Sequence, residues 1–138
     1  MNKNSQLRFG FGRNWKNYAK TVTEQRIKSA MESLRASLGL QNLTGLRVLD
    51  AGCGSGLFSL SACRLGAREV AAFDYDSDSV SCAIDLNNRF GPYTNWTTTQ
   101  GDVLDRAFLK TLGDFDIVYS WGVLHHTCLL YTSPSPRD

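Results

Sequence analysis

The chain has 138 residues, with 15 Lys plus Arg against 13 Asp plus Glu, a net charge of +2, 42% apolar residues and three prolines. It holds no run of about 18 apolar residues, which excludes a membrane-spanning helix, and ordinary apolar content with low net charge excludes wholesale disorder. A chain of this length can bury roughly two-thirds of its unfolded surface and needs no disulfide staples.

The first twenty residues carry Phe9-Gly10-Phe11-Gly12, then Trp15 and Tyr18, without a sustained period, and are expected to form a lead-in segment packed on the domain or over a site. The early basic residues (Lys3, Arg8, Arg13, Lys16, Lys20, Arg26, Lys28, Arg35) are dispersed, which points to a solvated face and away from a nucleic-acid patch. Thr21 with Glu24 reads as a capping box, and Ile27, Met31, Leu34 and Leu38 then repeat at helical spacing up to Gly39, predicting an amphipathic helix over about 22–38. Leu46 to Ala51 is a short apolar run ending in glycines, hence a buried strand. Residues 56–65 return to helical character with Leu57, Leu60 and Leu65, stopped by Gly66.

Val70 to Phe73 is the next strand and ends at Asp74. Ser77 or Asp78 is expected to cap the following helix, with Val80, Ala83, Ile84 and Leu86 as its apolar face and Gly91-Pro92 as its end. Trp96 to Gln100 is β-branched and aromatic, a third strand, followed by Asp102 and a short helix near 105–112. Phe115 to Trp121 is a fourth strand. Strands alternating with helices at this spacing predict an α/β fold with a doubly wound, Rossmann-like, mostly parallel sheet.

The four cysteines, Cys53, Cys63, Cys82 and Cys128, form no C-x-x-C pair and no metal-ligand spacing. The first residues lack a signal peptide's apolar stretch, and a reduced, cytoplasmic protein with no bound metal is the expectation. Cys53 and Cys63 read as packing residues. Trp15 and Trp96 read as core, whereas Trp121, at a strand end, suits a pocket wall.

The chemistry centres on Val48-Leu49-Asp50-Ala51-Gly52-Cys53-Gly54-Ser55-Gly56, a strand that runs into three alternating glycines and then a helix. Glycines there let the backbone approach a ligand that side chains would exclude. Asp74, at the end of the next strand, stands where a carboxylate accepts hydrogen bonds from ribose hydroxyls. A dinucleotide fingerprint, G-x-G-x-x-G, would require glycine at position 57, where the chain has Leu57. NAD and FAD are thereby disfavoured.

The arrangement resembles the glycine-rich first motif of class I S-adenosylmethionine-dependent methyltransferases, in which an acidic residue, here Asp50, precedes G-x-G-x-G. The resemblance extends over about 80 residues, 46–127. Asp74 with Tyr75 is similar to the family's second motif, and implies an acid on ribose with a ring against adenine. Asp102 with Val103 is similar to the motif after the third strand, and implies contacts to the adenine amino group and ring. Residues 115–126, ending in His125-His126, resemble the fourth motif of the subgroup that includes quinone-biosynthesis methyltransferases, and imply Ser120 near the methionyl group. The implied cofactor is S-adenosyl-L-methionine and the implied reaction is methyl transfer to a small-molecule acceptor, with O-methylation foremost.

Several of these residues admit a second role. Asp50 either contacts the cofactor or orients the glycine loop, and Asp102 either meets adenine or caps the next helix. Asp116 opens its strand and so stands at the edge away from the site. A histidine of the 125–126 pair has an unperturbed pKa of about 6.5, which suits a general base, but either can equally line the pocket. Neighbouring side chains of an extended segment diverge, which makes the pair a poor metal site. A non-catalytic cofactor-binding module and a nicotinamide oxidoreductase are the rival readings of function.

Finally, Cys128 to Asp138 resembles, residue for residue, the translation of a transposon-end adapter used in preparing sequencing libraries, and holds two of the three prolines. The expected organisation is a cap segment and helix over 1–45, a partial cofactor-binding domain over 46–127 and a non-native tail over 128–138. The family's sheet continues past its fourth strand, so the expectation is a chain truncated there, with little or no activity alone.

Overall fold

The computed structural model describes residues 18–120. Trp15, Trp121, His125, His126 and the adapter-like segment 128–138, with Cys128, lie outside the described residues.

Two helices open the described part, α1 (Tyr18–Thr21) and α2 (Glu24–Leu38). The predicted cap is displaced: Thr23, in extended conformation, accepts the Arg26 N–H, while the Thr21 hydroxyl donates to the Tyr18 carbonyl. Thr21 therefore belongs to α1. The predicted apolar face is correct, since Ile27 and Leu34 are buried, and Met31 and Leu38 pack partly buried against the same core. Gly39 ends the helix with its N–H on the Arg35 carbonyl.

From Arg47 the chain alternates strand and helix through β1 (Arg47–Ala51), α3 (Leu57–Arg64), β2 (Glu69–Asp74), α4 (Ser77–Phe90), β3 (Trp96–Gln100), α5 (Arg106–Leu112) and β4 (Ile117–Tyr119). All strand pairs are parallel and the sheet order is β3-β2-β1-β4. The first three strands thus step outward in one direction and β4 returns to the other side of β1. The order reverses between β1 and β4, the point at which open α/β sheets leave a crevice at the carboxyl ends of their strands.

Strand alternation divides the core. Val48 and Val70 face the main cluster with Ile27, Leu34, Leu60, Leu86 and Trp96, on the side covered by α2, α3 and α4. Leu49, Ala51, Phe73 and Phe115 face the opposite side, where α5 contributes Phe108, Leu109 and Leu112. The Phe73 and Phe108 rings meet edge to face, with centroids 5.0 Å apart.

One more cap differs from expectation, and one of the two alternatives for Asp102 falls away. Asp76, not Ser77 or Asp78, caps α4 by accepting the Asp78 N–H, and Asp105, not Asp102, caps α5 by accepting the Phe108 N–H. On α4 the buried residues are Ser79, Cys82, Ala83 and Leu86, whereas Ile84 is exposed. Positions 79, 82, 83 and 86 follow the helical period, and Ile84 lies off that stripe.

At the amino edge of the sheet, the Arg47 N–H donates to the Asp116 carboxylate at 2.8 Å and the Asp116 N–H returns to the Arg47 carbonyl at 2.9 Å. Asp116 is a clamp between β1 and β4 there, remote from the strand ends. Cys53, Cys63 and Cys82 are free and buried. Burial pushes the Cys63 thiol up to about 12 and that of Cys82 up to about 11, so both stay neutral, as packing residues do. No helix among the described residues is long and apolar enough to cross a membrane.

Candidate active site

The turn after β1 is built from backbone conformations that favour glycine. Gly52, Gly54 and Gly56 all have left-handed φ, at 75°, 55° and 88°. The turn is fastened to the end of β2: the N–H groups of Gly52 and Cys53 both donate to the Phe73 carbonyl at 2.9 Å, and the Gly54 N–H donates to Asp74 Oδ2 at 2.8 Å. The other Asp74 oxygen accepts the Asp76 N–H at 2.9 Å, so one carboxylate joins the glycine turn to the entrance of α4.

The strand ends are cross-tied as well. The Gly101 N–H donates to the Asp74 carbonyl at 3.0 Å, and the Gln100 side-chain amide donates to the Tyr75 carbonyl at 3.0 Å. Half of the Tyr75 side chain is exposed. Asp102 accepts the Leu104 N–H at 2.9 Å, and Val103 packs partly buried against the cluster of Leu49, Ala51, Phe73 and Phe115. Gly52, Gly54, Asp74, Tyr75, Asp102 and Val103 therefore share the carboxyl edge of β1, β2 and β3.

Three other candidates point elsewhere. Gly56 is pressed against α4 and β3: a Cβ there would lie 2.8 Å from the Ala83 Cβ and 3.2 Å from the Trp96 ring. Its smallness serves helix packing. The Ser120 hydroxyl is buried and donates to the Ala51 carbonyl at 3.2 Å, tying the end of β4 to the end of β1. The Asp50 side chain is buried beneath α3, on the Val48 face of the sheet, and accepts the Ser59 hydroxyl at 2.7 Å.

The left-handed glycine turn, the Asp74 and Asp102 side chains and the half-exposed Tyr75 thus meet at one edge of the sheet. The family profile described as "Methyltransferase domain" matches residues 48–130, more than half of the chain. The chain belongs to the class I S-adenosylmethionine-dependent methyltransferases.

Relatives of the chain include a ribosomal protein L11 methyltransferase from Synechococcus sp. (strain RCC307), 39% identical over 80 residues, or 56% of this chain and 27% of that protein. Another ribosomal protein L11 methyltransferase, from Ectopseudomonas mendocina (strain ymp), is 45% identical over 51 residues, or 37% of this chain and 18% of that protein. The chain thus spans well under half the length of the curated relatives it matches. Among solved structures, magnesium protoporphyrin IX methyltransferase from Synechocystis PCC 6803 with bound S-adenosylmethionine is 31% identical, with a TM-score of 0.53 over 72% of this chain and 44% of that one. A structure from Methanococcus maripaludis, 18% identical, shares the fold with a TM-score of 0.62 over 83% of this chain and 50% of that one. S-adenosylmethionine is the cofactor of the family.

Among the carboxyl groups of the described residues, that of Asp50 is strongly shifted. Burial pushes its pKa up to about 7, the Ser59 hydroxyl pulls against that rise, and the negative charge of Asp74 adds to it. Tyr119, paired with Asp50 across β1 and β4, is raised by burial and by the Asp50 charge. A small crevice lined by Leu34, Leu38, Phe58, Ile117 and Tyr119 reaches Asp50 from the α2 side. Ser59 was not among the residues singled out from the sequence. It is one of two serines, Ser59 and Ser61, in the apolar stretch 57–63, and the sequence does not tell them apart: Ser61 donates to the Leu57 carbonyl of its own helix. Among the described residues no group of three or more His, Cys, Asp or Glu could hold a metal ion.

Proposed function

We propose that this chain forms the cofactor-binding part of an enzyme that transfers a methyl group from S-adenosylmethionine to a small-molecule acceptor. The observation that supports the reading most is the glycine turn fastened to Asp74 beside the switch point of the sheet. In it Gly52 and Gly54 give the cofactor's amino acid end room at the backbone. The Asp74 carboxylate, which accepts the Gly54 and Asp76 N–H groups, stands at the end of β2, where it would also meet the ribose hydroxyls. Tyr75 and Val103 flank the adenine, and Asp102 accepts from its amino group. Asp50 acts from beneath the turn on the cationic amino acid end, and Ser120 fixes the end of β4 on the methionyl side.

When bound, S-adenosylmethionine supplies a methyl group made electrophilic by the sulfonium. The task left to the protein is to align the acceptor with the methyl–sulfur axis and to keep water away. An O–H acceptor also has to give up a proton, and His125 or His126 is the base we assign to that step.

Methylation of a protein is the second reading, favoured by the curated relatives, which are named for ribosomal protein L11. A cytoplasmic setting goes with either acceptor. Amide spectra of the 138-residue chain, recorded with and without S-adenosylhomocysteine, test the cofactor site even at weak affinity. Shifts centred on Gly52, Gly54, Asp74 and Asp102 are expected, and an unchanged spectrum at millimolar ligand would overturn the proposal. Methyl transfer from labelled cofactor by a longer chain containing this one, offered a metabolite extract and ribosomal protein separately, distinguishes the two acceptors.

A further inference from the structure

Ser59 is 1% exposed and Asp50 is 5% exposed, so their 2.7 Å hydrogen bond lies out of water. A hydroxyl on an ionised carboxylate in such a place is a charge-assisted bond, shorter and stronger than a neutral one. Packing alone does not ask for it. Ser59 sits between Phe58 and Leu60 in the first turn of α3, where an alanine would fill the same space without the cost of burying a hydroxyl.

The surroundings of Asp50 give the hydroxyl a task. From β4 comes Tyr119, from the end of β2 the like charge of Asp74, and from the turn the buried Cys53 thiol. From α2 come the apolar Leu34 and Leu38. None of these is a cation, and burial with the Asp74 charge opposes the Asp50 anion. Among the described residues, Ser59 is the side chain that donates to it.

We propose that Ser59 is a positioning residue of the cofactor site: its hydroxyl holds the buried Asp50 carboxylate beneath the glycine turn and favours its anion, whose charge attracts the cofactor's cationic amino acid end from there. The role of Asp50 toward the cofactor rests on the function proposed above. The action of Ser59 on Asp50 does not, and the two are tested separately.

The first measurement needs no ligand. The Asp50 carboxyl carbon is followed by NMR against pH in the 138-residue chain and in Ser59→Ala. Loss of the hydroxyl removes the interaction that lowers the titration of Asp50, so its midpoint moves to higher pH in Ser59→Ala and returns in Ser59→Thr. The second measurement is S-adenosylhomocysteine affinity from amide shifts between pH 6 and pH 9. The ligand's own titration is common to both proteins and cancels in the ratio. For a midpoint shift of about one unit, the wild-type chain binds about tenfold more tightly than Ser59→Ala near pH 6, and the two converge by about pH 9. A hydroxyl with only a structural role gives a ratio that does not change with pH. An Asp50 titration unchanged in Ser59→Ala, or a constant ratio, overturns the proposal. If the ligand perturbs neither protein, the reading of the cofactor site fails, and the ligand-free titration still decides the role of Ser59.

Discussion

The Gly54 N–H meets the Asp74 carboxylate at 2.8 Å across twenty positions of sequence, so the acid expected on ribose also holds the turn that the cofactor must approach. The proposed ribose contact and the loop anchor share one side chain. Asp74→Ala is therefore expected to act twice. Without ligand, the Gly54 amide exchanges faster with solvent. With ligand, affinity falls by roughly tenfold to hundredfold, the scale of one hydrogen bond to a charged group. Hydrogen exchange of the ligand-free protein separates the two effects, because a residue that only touched ribose would leave Gly54 protected.

Gly56→Ala is expected to destabilise the fold rather than to weaken binding selectively. The added Cβ would meet Ala83 at 2.8 Å in a backbone conformation that L residues avoid. The expected loss is about 1–3 kcal/mol. Urea unfolding followed by far-ultraviolet dichroism measures it; a midpoint equal to wild type would show that α4 yields without cost.

The Asp50 carboxyl ties stability to pH. Its pKa rises from 3.8 to about 7 on folding, so between those values the native state binds more protons than the unfolded chain. Stability contributed at this position is accordingly greatest below about pH 4, falls as pH rises toward 7, and is level above that, with a loss of up to about 4 kcal/mol. Asp50→Asn keeps the shape without the charge and still accepts from Ser59. Its urea midpoint is expected to exceed wild type at pH 8 and to match it at pH 4. Equal gains at both values would show that the carboxyl does not titrate in this range.

Thr23→Ala is expected to cost about 1 kcal/mol through loss of the α2 cap, and Thr21→Ala distinctly less. The comparison is made by thermal unfolding of the two variants. Equal losses would mean that the Thr21 hydroxyl, bonded to the Tyr18 carbonyl, matters as much as the cap.

Where the sequence was misleading, neighbouring residues offered the same chemistry. Thr21 and Thr23, Asp76 and Asp78, and Asp102 and Asp105 are each a pair of competent caps, and the choice rests on which residue takes the extended backbone, as Thr23 does at φ −113°. The third strand was legible to the residue, because Trp96-Thr97-Thr98-Thr99-Gln100 is strand-forming throughout and bounded by turns. Asp74, Tyr75, Asp102 and Val103 reach the carboxyl edge of the sheet because strand ends in a parallel sheet align automatically. Asp50 and Gly56 do not disclose their orientation that way. One faces α3 and the other faces α4, and only the packing of those helices tells the members of the glycine motif apart.

The fastening of the turn to β2 also bears on which ligands the fold refuses. A pyrophosphate needs a row of backbone N–H groups aimed outward at its oxygens. From Gly52 to Leu57, five of the six donors are already engaged: two by the Phe73 carbonyl, one by Asp74, one by the Cys53 carbonyl and one by the Ser55 hydroxyl. The loop keeps the glycines of a nucleotide cradle but has turned its amides inward. A loop whose amides are spent on its own fold has little to give a ligand that brings phosphate.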